Sequence, residues 1–135
     1  MSPVITVTSI HDDRTKQIQT VGRPIDYVEV KIIDPITGKV VPRGQHGEVC
    51  ARGHCVFPGY FNQPEKTREV VDSNYWYHTG DIGYFDEEGY LNICGRIKEM
   101  IIRGGENIYP IEIEDHILLH PSVEDVHVIF FVCLL

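Results

Sequence analysis

The sequence predicts an α+β fold in which a β-rich part precedes a smaller piece that mixes strand and helix. Residues 21–93 contain short, alternating apolar segments separated by turn residues, and a helical pattern opens at a proline at residue 110. Residues 77–114, where one pattern gives way to the other, carry three glycine-containing segments with charged side chains. Strands at such close spacing indicate a distorted β-barrel. We therefore expect a barrel subdomain over residues 1–96 and the start of a small αβ domain over residues 97–135.

Size and charge exclude several functions. The chain has 135 residues, 42% of them hydrophobic and 24% charged, which is typical of a globular domain rather than a disordered segment. Its net charge of −8 argues against a nucleic-acid partner, because phosphate binding needs a basic surface. The N-terminus does not resemble a signal peptide, and no apolar run reaches the roughly 20 residues that span a bilayer.

The first half of the chain is predicted to be mainly strand. Residues 4–8 alternate as a short strand, and the polar residues 11–20 are expected to form a loop. Period-2 alternation predicts strands over residues 28–33 and 48–53, with a proline- and glycine-containing turn at residues 34–38 between them.

The second half adds helices. Pro64 in a first turn predicts a short helix over residues 63–71, and residues 84–93 read as a hairpin around a four-residue turn. A short strand follows over residues 98–103. Pro110 then opens a helix to residue 119, and residues 123–131 form a final predicted strand. The predicted buried side of the last helix comprises Ile111, Leu118 and Leu119.

Two charged residues are candidates for ligand contacts. Asp81 belongs to a predicted tight turn, Thr79–Gly80–Asp81, where a carboxylate can accept hydrogen bonds from both hydroxyls of a ribose. The alternative is an aspartate that closes the turn. Arg96 offers a guanidinium suited to a phosphate or a sugar hydroxyl, but it also fits an ordinary surface residue.

The remaining candidates are weaker. The Gly104–Gly105 pair allows close backbone approach to a ligand and equally suits a hairpin turn. His116 and His120 are four residues apart, yet no third ligand stands near them, so we predict no metal site. His54 and His78 are expected in loops without a partner. The four cysteines have no CxxC spacing and apolar neighbours, which favours buried free thiols and a reducing, intracellular compartment.

Three segments, in this order and spacing, resemble motifs of the adenylate-forming superfamily, which includes acyl-CoA synthetases, firefly luciferase and peptide-synthetase adenylation domains. They are GEVCARG with a following GY (residues 47–60), YHTGD (residues 77–81) and GRIKEMIIRGGENIYPIEIE (residues 95–114). The resemblance covers about residues 21–130, and the wording of the third segment is nearest to medium-chain fatty acyl-CoA synthetases.

The resemblance implies roles for five residues. Asp81 would bind the ribose hydroxyls of ATP or of the acyl-adenylate, Arg96 would contact the same ribose and a neighbouring phosphate, and Ile93 would lie against the nucleotide. Lys98 occupies the hinge position about which a C-terminal lid domain turns between half-reactions. Gly105 would let the pantetheine arm of CoA pass the backbone.

The implied reaction joins a fatty acid to CoA at the expense of ATP, with Mg²⁺ expected in the parent enzyme and its ligands outside this chain. The family's phosphate loop, most of its acyl pocket and its C-terminal lysine have no counterpart here, so we expect the chain alone to be inactive. Relatives of this type make a mitochondrial location the expectation for the parent, although the chain shows no targeting signal. The alternative is a non-catalytic module that binds a nucleotide or a protein.

Overall fold

The computed structural model describes residues 4–103 and 106–129. Eight strands, three helices and one 3-10 turn make up this part of the chain. The strands are β1 Thr6–Val7, β2 Arg23–Pro24, β3 Val28–Ile33, β4 Gly47–Gly53, β5 Tyr77–Phe85, β6 Leu91–Arg96, β7 Ile101–Arg103 and β8 Glu106–Ile108. The helices are α1 Arg14–Gln19, α2 Pro64–Val70 and α3 Pro110–Leu118, and the 3-10 turn is Ile97–Glu99.

The central sheet has four antiparallel strands in the order β3–β4–β5–β6, and two separate two-stranded pairs, β1–β2 and β7–β8, complete the strands. This architecture confirms the α+β class. The predicted barrel, in contrast, is not closed, since β3 and β6 lie at opposite ends of the strand order and do not pair with each other. Four strands are too few to curl into a closed barrel around packed side chains.

Two apolar clusters hold the sheet. The first joins the buried side chains of Ile32, Val49 and Leu91, one each from β3, β4 and β6. The second joins Ile82 and Cys94 of the sheet to Tyr109, which precedes α3, and Ile111 packs against it. Burying a side chain of this size contributes about 1.5–3 kcal/mol, so the second cluster anchors the C-terminal segment to β6.

Most predicted elements of the middle region are confirmed. Strands β3 and β4 match the alternating segments, α2 begins at Pro64, and the hairpin turn is closed by the bond that the Asp86 amide donates to the Tyr90 carbonyl at 2.9 Å. The strand predicted over residues 98–103 is shorter, because residues 97–99 form the 3-10 turn and β7 starts at Ile101.

The predicted loop at residues 11–20 is wrong, since it contains α1. This helix has no buried residue and therefore no apolar pattern to reveal it. Asp13 caps its N-terminus by accepting a bond from the Lys16 amide at 3.0 Å. The Lys16 ammonium then ties the helix to the hairpin turn through Asp86 at 2.7 Å and Glu88 at 3.2 Å.

Two predictions at the C-terminal end are also wrong. Residues 123–129 form no strand, and the final part of the predicted strand, residues 130–131, lies outside the described residues. The Val128 amide donates to the Glu114 carboxylate at 2.7 Å instead of to a neighbouring strand. Within α3 and its end, Leu118 is 43% exposed and Leu119 is 78% exposed, so only Ile111 of the predicted buried side is packed.

Cys50 and Cys94 are buried free thiols, as predicted, and Cys55 is a half-buried one, while Cys133 lies outside the described residues. Burial raises the pKa of the Cys50 thiol to about 12 and that of Cys94 to about 11. Over the ranges 4–103 and 106–129, no helix has the length and apolar character that a membrane crossing requires.

Candidate functional site

Asp81 and Arg96 stand opposite each other on neighbouring strands. Their Cα atoms are partners in the β5–β6 register, and Arg96 Nε lies 3.4 Å from Asp81 Oδ1. Both side chains reach solvent, with the Asp81 side chain 35% exposed and the Arg96 side chain 56% exposed. The sheet therefore brings together the two residues that the sequence singled out, although 15 positions separate them (96 − 81).

The segment that carries Asp81 is a bulge within β5 rather than the predicted turn. Glu48 pairs with Ile82 and Cys50 pairs with His78, so three residues of β5, 79–81, face one residue of β4. Gly80 has φ +74°, a conformation that side-chain-bearing residues rarely adopt. Bulges of this kind locally re-aim side chains, and here the bulge presents Asp81.

Side chains hold this bulge where the ladder does not. The Thr79 hydroxyl donates to the Val49 carbonyl at 2.8 Å, and the Asp81 amide donates to the Thr79 hydroxyl at 3.0 Å. One hydroxyl thus bridges β4 and the backbone of Asp81.

The Asp81 carboxyl sits in a mixed electrostatic environment. Partial burial raises its pKa above the ordinary value, the Arg96 guanidinium opposes that shift, and the Glu99 and Glu48 carboxylates add to it. Partial burial removes some of the water that would hydrogen-bond to this carboxylate. A ligand hydroxyl that donated to it would supply such a hydrogen bond.

A cleft of about 430 Å³ adjoins the pair. It is lined by Tyr77, Thr79 and Gly80 from β5, by Arg96, and by Ile97 and Lys98 from the 3-10 turn. Lys98 is exposed and lies at the centre of this turn, where the central sheet ends and the C-terminal segment begins. The cleft thus joins a carboxylate-bearing bulge, a guanidinium and the start of a new segment.

The chain is similar in sequence and fold to known proteins. The family model described as "AMP-binding enzyme" matches residues 1–61. The chain is 47% identical to the putative acyl-CoA synthetase YngI of Bacillus subtilis (strain 168), over 95% of this chain and 23% of that protein. It is 44% identical to the mitochondrial medium-chain acyl-CoA ligase ACSF2 of Bos taurus, over 95% of this chain and 21% of that protein.

The structure is similar to that of an ATP-bound RpMatB–BxBclM chimera, with a TM-score of 0.85 and 39% sequence identity, covering 92% of this chain and 24% of the chimera. The chain belongs to the adenylate-forming superfamily. The chain spans less than a quarter of the length of each of the three proteins.

Of the other two predicted site residues, Ile93 does not line the cleft. Ile93 of β6 is 40% exposed and lines a different hollow, of about 680 Å³, together with His46 and Tyr84. Gly105 lies outside the described residues. Arg96 and Lys98 thus line one cleft and Asp81 contacts Arg96 beside it, while the roles of all five residues stay predictions.

A polar cluster that the sequence did not reveal lies behind the bulge. His78, expected in a loop without a partner, is in β5, with Nδ1 2.9 Å from Glu48 Oε2 and Nε2 3.7 Å from Asp72 Oδ2. Glu48 is 8% exposed. The two residues are 30 positions apart (78 − 48), and the visible signal was one charged residue at the head of the apolar strand β4.

Cys50 adds a sulfur to this cluster, with Sγ 3.6 Å from His78 Nδ1. The donor atoms of Glu48, Cys50 and His78 lie within 4.8 Å of one another, a spacing that could hold a metal ion. The Glu48 carboxylate is already bonded to His78 and to the Gly80 amide, and the Cys50 thiol has a raised pKa of about 12. These contacts describe a hydrogen-bonded cluster, and the absence of a metal stays a prediction.

Proposed function

We propose that this chain supplies the ribose-side nucleotide contacts and the pivot of an ATP-dependent, AMP-forming fatty acyl-CoA synthetase. The observation that carries the proposal is the Asp81–Arg96 pair, set in register across β5 and β6 beside a cleft that ends at Lys98.

The pair suits a ribose and its phosphate. The two oxygens of Asp81 would accept hydrogen bonds from the 2′- and 3′-hydroxyls, and an ionised acceptor makes the stronger bonds. Arg96 would donate to the same sugar and to the phosphate through its fixed fork of N–H groups. Because Arg96 Nε is 3.4 Å from Asp81 Oδ1, one small ligand can contact both side chains.

In the proposed reaction, the fatty acid carboxylate attacks the α-phosphate of ATP, which forms an acyl-adenylate and releases pyrophosphate. The thiol of CoA then attacks the acyl carbon and releases AMP. Asp81 and Arg96 would hold the adenosine part through both steps, so we expect the chain alone to bind nucleotide without turning it over. Gly105 would adjoin the CoA arm, and Mg²⁺ would be held by residues outside this chain.

The relatives support a proposal for the substrate class. One of them is named as a medium-chain acyl-CoA ligase and as mitochondrial, which supports a medium-chain fatty acid and that organelle for the parent of this chain. Lys98 is proposed as the hinge because it lies in the 3-10 turn where the central sheet ends. We likewise propose residues 1–96 and 97–135 as the two domain parts.

Nucleotide binding by the chain itself tests the proposal. A titration of the ¹⁵N-labelled chain with AMP, followed by NMR, is expected to shift the amide signals of residues 79–81 and 95–98. Asp81→Asn and Arg96→Gln are each expected to weaken AMP binding about ten-fold, the loss of one charge-assisted contact.

Arg52→Gln is the matched control, since Arg52 also lies in the sheet but pairs with Glu29 at 2.6 Å. It should leave AMP binding unchanged. Absence of AMP-induced shifts at residues 79–81, or equal effects of Arg52→Gln and Arg96→Gln, would contradict the nucleotide site. Binding of a protein partner that is indifferent to Asp81→Asn would instead favour the non-catalytic module.

A further inference from the structure

Glu48 is the charged residue that folding buries most completely within residues 4–103 and 106–129, with 8% of its surface exposed. Burying a carboxylate is costly unless its oxygens are hydrogen-bonded. Glu48 divides its two oxygens between two partners on β5. Oε2 lies 2.9 Å from His78 Nδ1, and Oε1 accepts from the Gly80 amide at 3.3 Å.

His78 and Gly80 flank Thr79, the first residue of the bulge. The Glu48 side chain therefore contacts the bulge on both sides of this residue. The ladder between β4 and β5 skips residues 79–81, so on the β4 side backbone pairing cannot fix their conformation, and only Asp81 is paired on the β6 side. Gly80 has φ +74° and, because glycine lacks a Cβ, its own backbone conformation is weakly restricted. The Glu48 carboxylate supplies a restraint that the ladder omits.

His78 is itself held from the far side. Its Nε2 lies 3.7 Å from Asp72 Oδ2, and Asp72 is fixed because its other oxygen accepts bonds from the Asn74 amide at 2.8 Å and the Trp76 amide at 2.9 Å. The imidazole therefore lies between two carboxylates, hydrogen-bonded to Glu48 and close to Asp72, and this favours one orientation of its ring.

We infer that Glu48, with His78, is a positioning residue that fixes the bulge so that Asp81 faces Arg96 beside the cleft. Neither Glu48 nor His78 lines the cleft, so their effect on a nucleotide is exerted through the bulge that carries Asp81. This inference rests on the proposed function, since it names what orients the proposed ribose-binding carboxylate.

The test combines Glu48→Gln with Asp81→Asn in a double-mutant cycle on the full chain, with AMP as the probe and NMR as the readout. Glu48→Gln retains the size of the side chain but removes its charge and one acceptor. We expect AMP to bind this variant about five-fold more weakly, because the bulge that orients Asp81 loses about one hydrogen bond. In the Asp81→Asn background, Glu48→Gln should cause no further loss, because both changes act through the same carboxylate.

Glu29→Gln is the matched control, because Glu29 is an exposed glutamate of the same sheet, bonded to Arg52. It should leave AMP affinity unchanged. Losses that add in the double variant, or an unchanged affinity in Glu48→Gln, would overturn the inference, because a merely structural residue weakens binding independently of Asp81.

Amide hydrogen exchange separates failure of this inference from failure of the proposed function. If the unmodified chain does not bind AMP, the proposed function fails, and the exchange rates of the Gly80 and Asp81 amides decide the inference. Faster exchange at these two amides in Glu48→Gln, and not in Glu29→Gln, would support positioning. Unchanged rates would overturn it.

Discussion

At the scale of single residues, the site combines binding with a cost to stability. Asp81 is the proposed ribose-binding carboxylate, yet partial burial raises its pKa and thereby disfavours its charged form. Arg96 offsets this only in part, because its side chain is 56% exposed and water screens the pair. Functional residues commonly carry such a cost.

Asp81→Asn is expected to raise Tm at pH 7 by about 1–2 °C, a small gain because the group is partly screened. The folded state binds the Asp81 proton more tightly than the unfolded state, so this carboxyl favours folding at low pH. That contribution is lost as the pH rises from the ordinary value of 3.8 through the folded pKa. Thermal unfolding followed by circular dichroism between pH 3 and pH 8 measures it, and the gain should vanish at the acid end.

Glu29→Gln provides a control of opposite sign. The bond from Arg52 lowers the pKa of Glu29, so its contribution is present above the ordinary value of 4.5 and is lost as the pH falls. Its Tm at pH 7 should be equal to or below that of the unmodified chain. An Asp81→Asn variant whose Tm falls at pH 7 and recovers in acid would contradict the raised pKa of Asp81.

At the residue level, motifs predicted Asp81 and Arg96, which the structure places side by side, and their ligand roles stay predictions. Asp81 alone and Arg96 alone each had an ordinary alternative, and only the order of three motifs singled them out. Glu48 and His78 were missed because their contact depends on the pairing of β4 with β5 across the register shift. No local pattern reports such a pairing.

At the scale of elements, β5 is the strand on which the site depends. It pairs with β4 on one side and β6 on the other, and its register shifts on both sides. Strands with strong alternation, such as β3, were readable from the sequence. Helix α1 was not, because a polar cap and two ion pairs, rather than an apolar face, hold it.

Two glycines of β5 are predicted to differ in their tolerance of a side chain. A Cβ at Gly83 would meet the Asn92 carbonyl oxygen at 2.4 Å and Val49 Cγ2 at 3.1 Å. Gly83→Ala is therefore expected to lower the free energy of unfolding by about 2–4 kcal/mol. A Cβ at Gly80 would meet nothing within 4 Å, and only its φ of +74° opposes alanine. Gly80→Ala should cost about 1 kcal/mol.

Urea denaturation of the two variants measures this difference. The comparison is internally matched, because both substitutions add the same methyl group to the same strand. Equal losses would show that backbone conformation, rather than the contact with the Asn92 carbonyl of β6, determines the cost of a side chain at position 83.

At the scale of the whole molecule, stability is divided between two apolar clusters. The cluster around Leu91 lies within the sheet, and the cluster around Tyr109 joins the sheet to α3. The sequence indicated the change of character after residue 96. It overestimated the burial of the last helix, because periodicity shows which face is apolar but not whether the chain itself covers that face.

Leu91→Ala and Ile111→Ala are expected to affect different parts of the molecule. Leu91 is 1% exposed, so its truncation should lower the free energy of unfolding by about 2–5 kcal/mol and speed amide exchange across β3–β6. Ile111 lies at the edge of the second cluster, and its truncation should speed exchange mainly in α3. Exchange followed by NMR distinguishes the two, and identical patterns for both variants would show a single cooperative unit.

Under the proposed function, the placement of Asp81 and Arg96 on adjacent strands bears on how a two-step enzyme would keep its intermediate. Both residues precede position 98 and belong to the same hydrogen-bonded sheet. With Lys98 as the pivot, a rotation of everything downstream would leave the spacing between them untouched. The activated acyl group would then stay tethered by its sugar while the machinery around it is exchanged, and a reactive mixed anhydride would never need to be released into water between the two reactions.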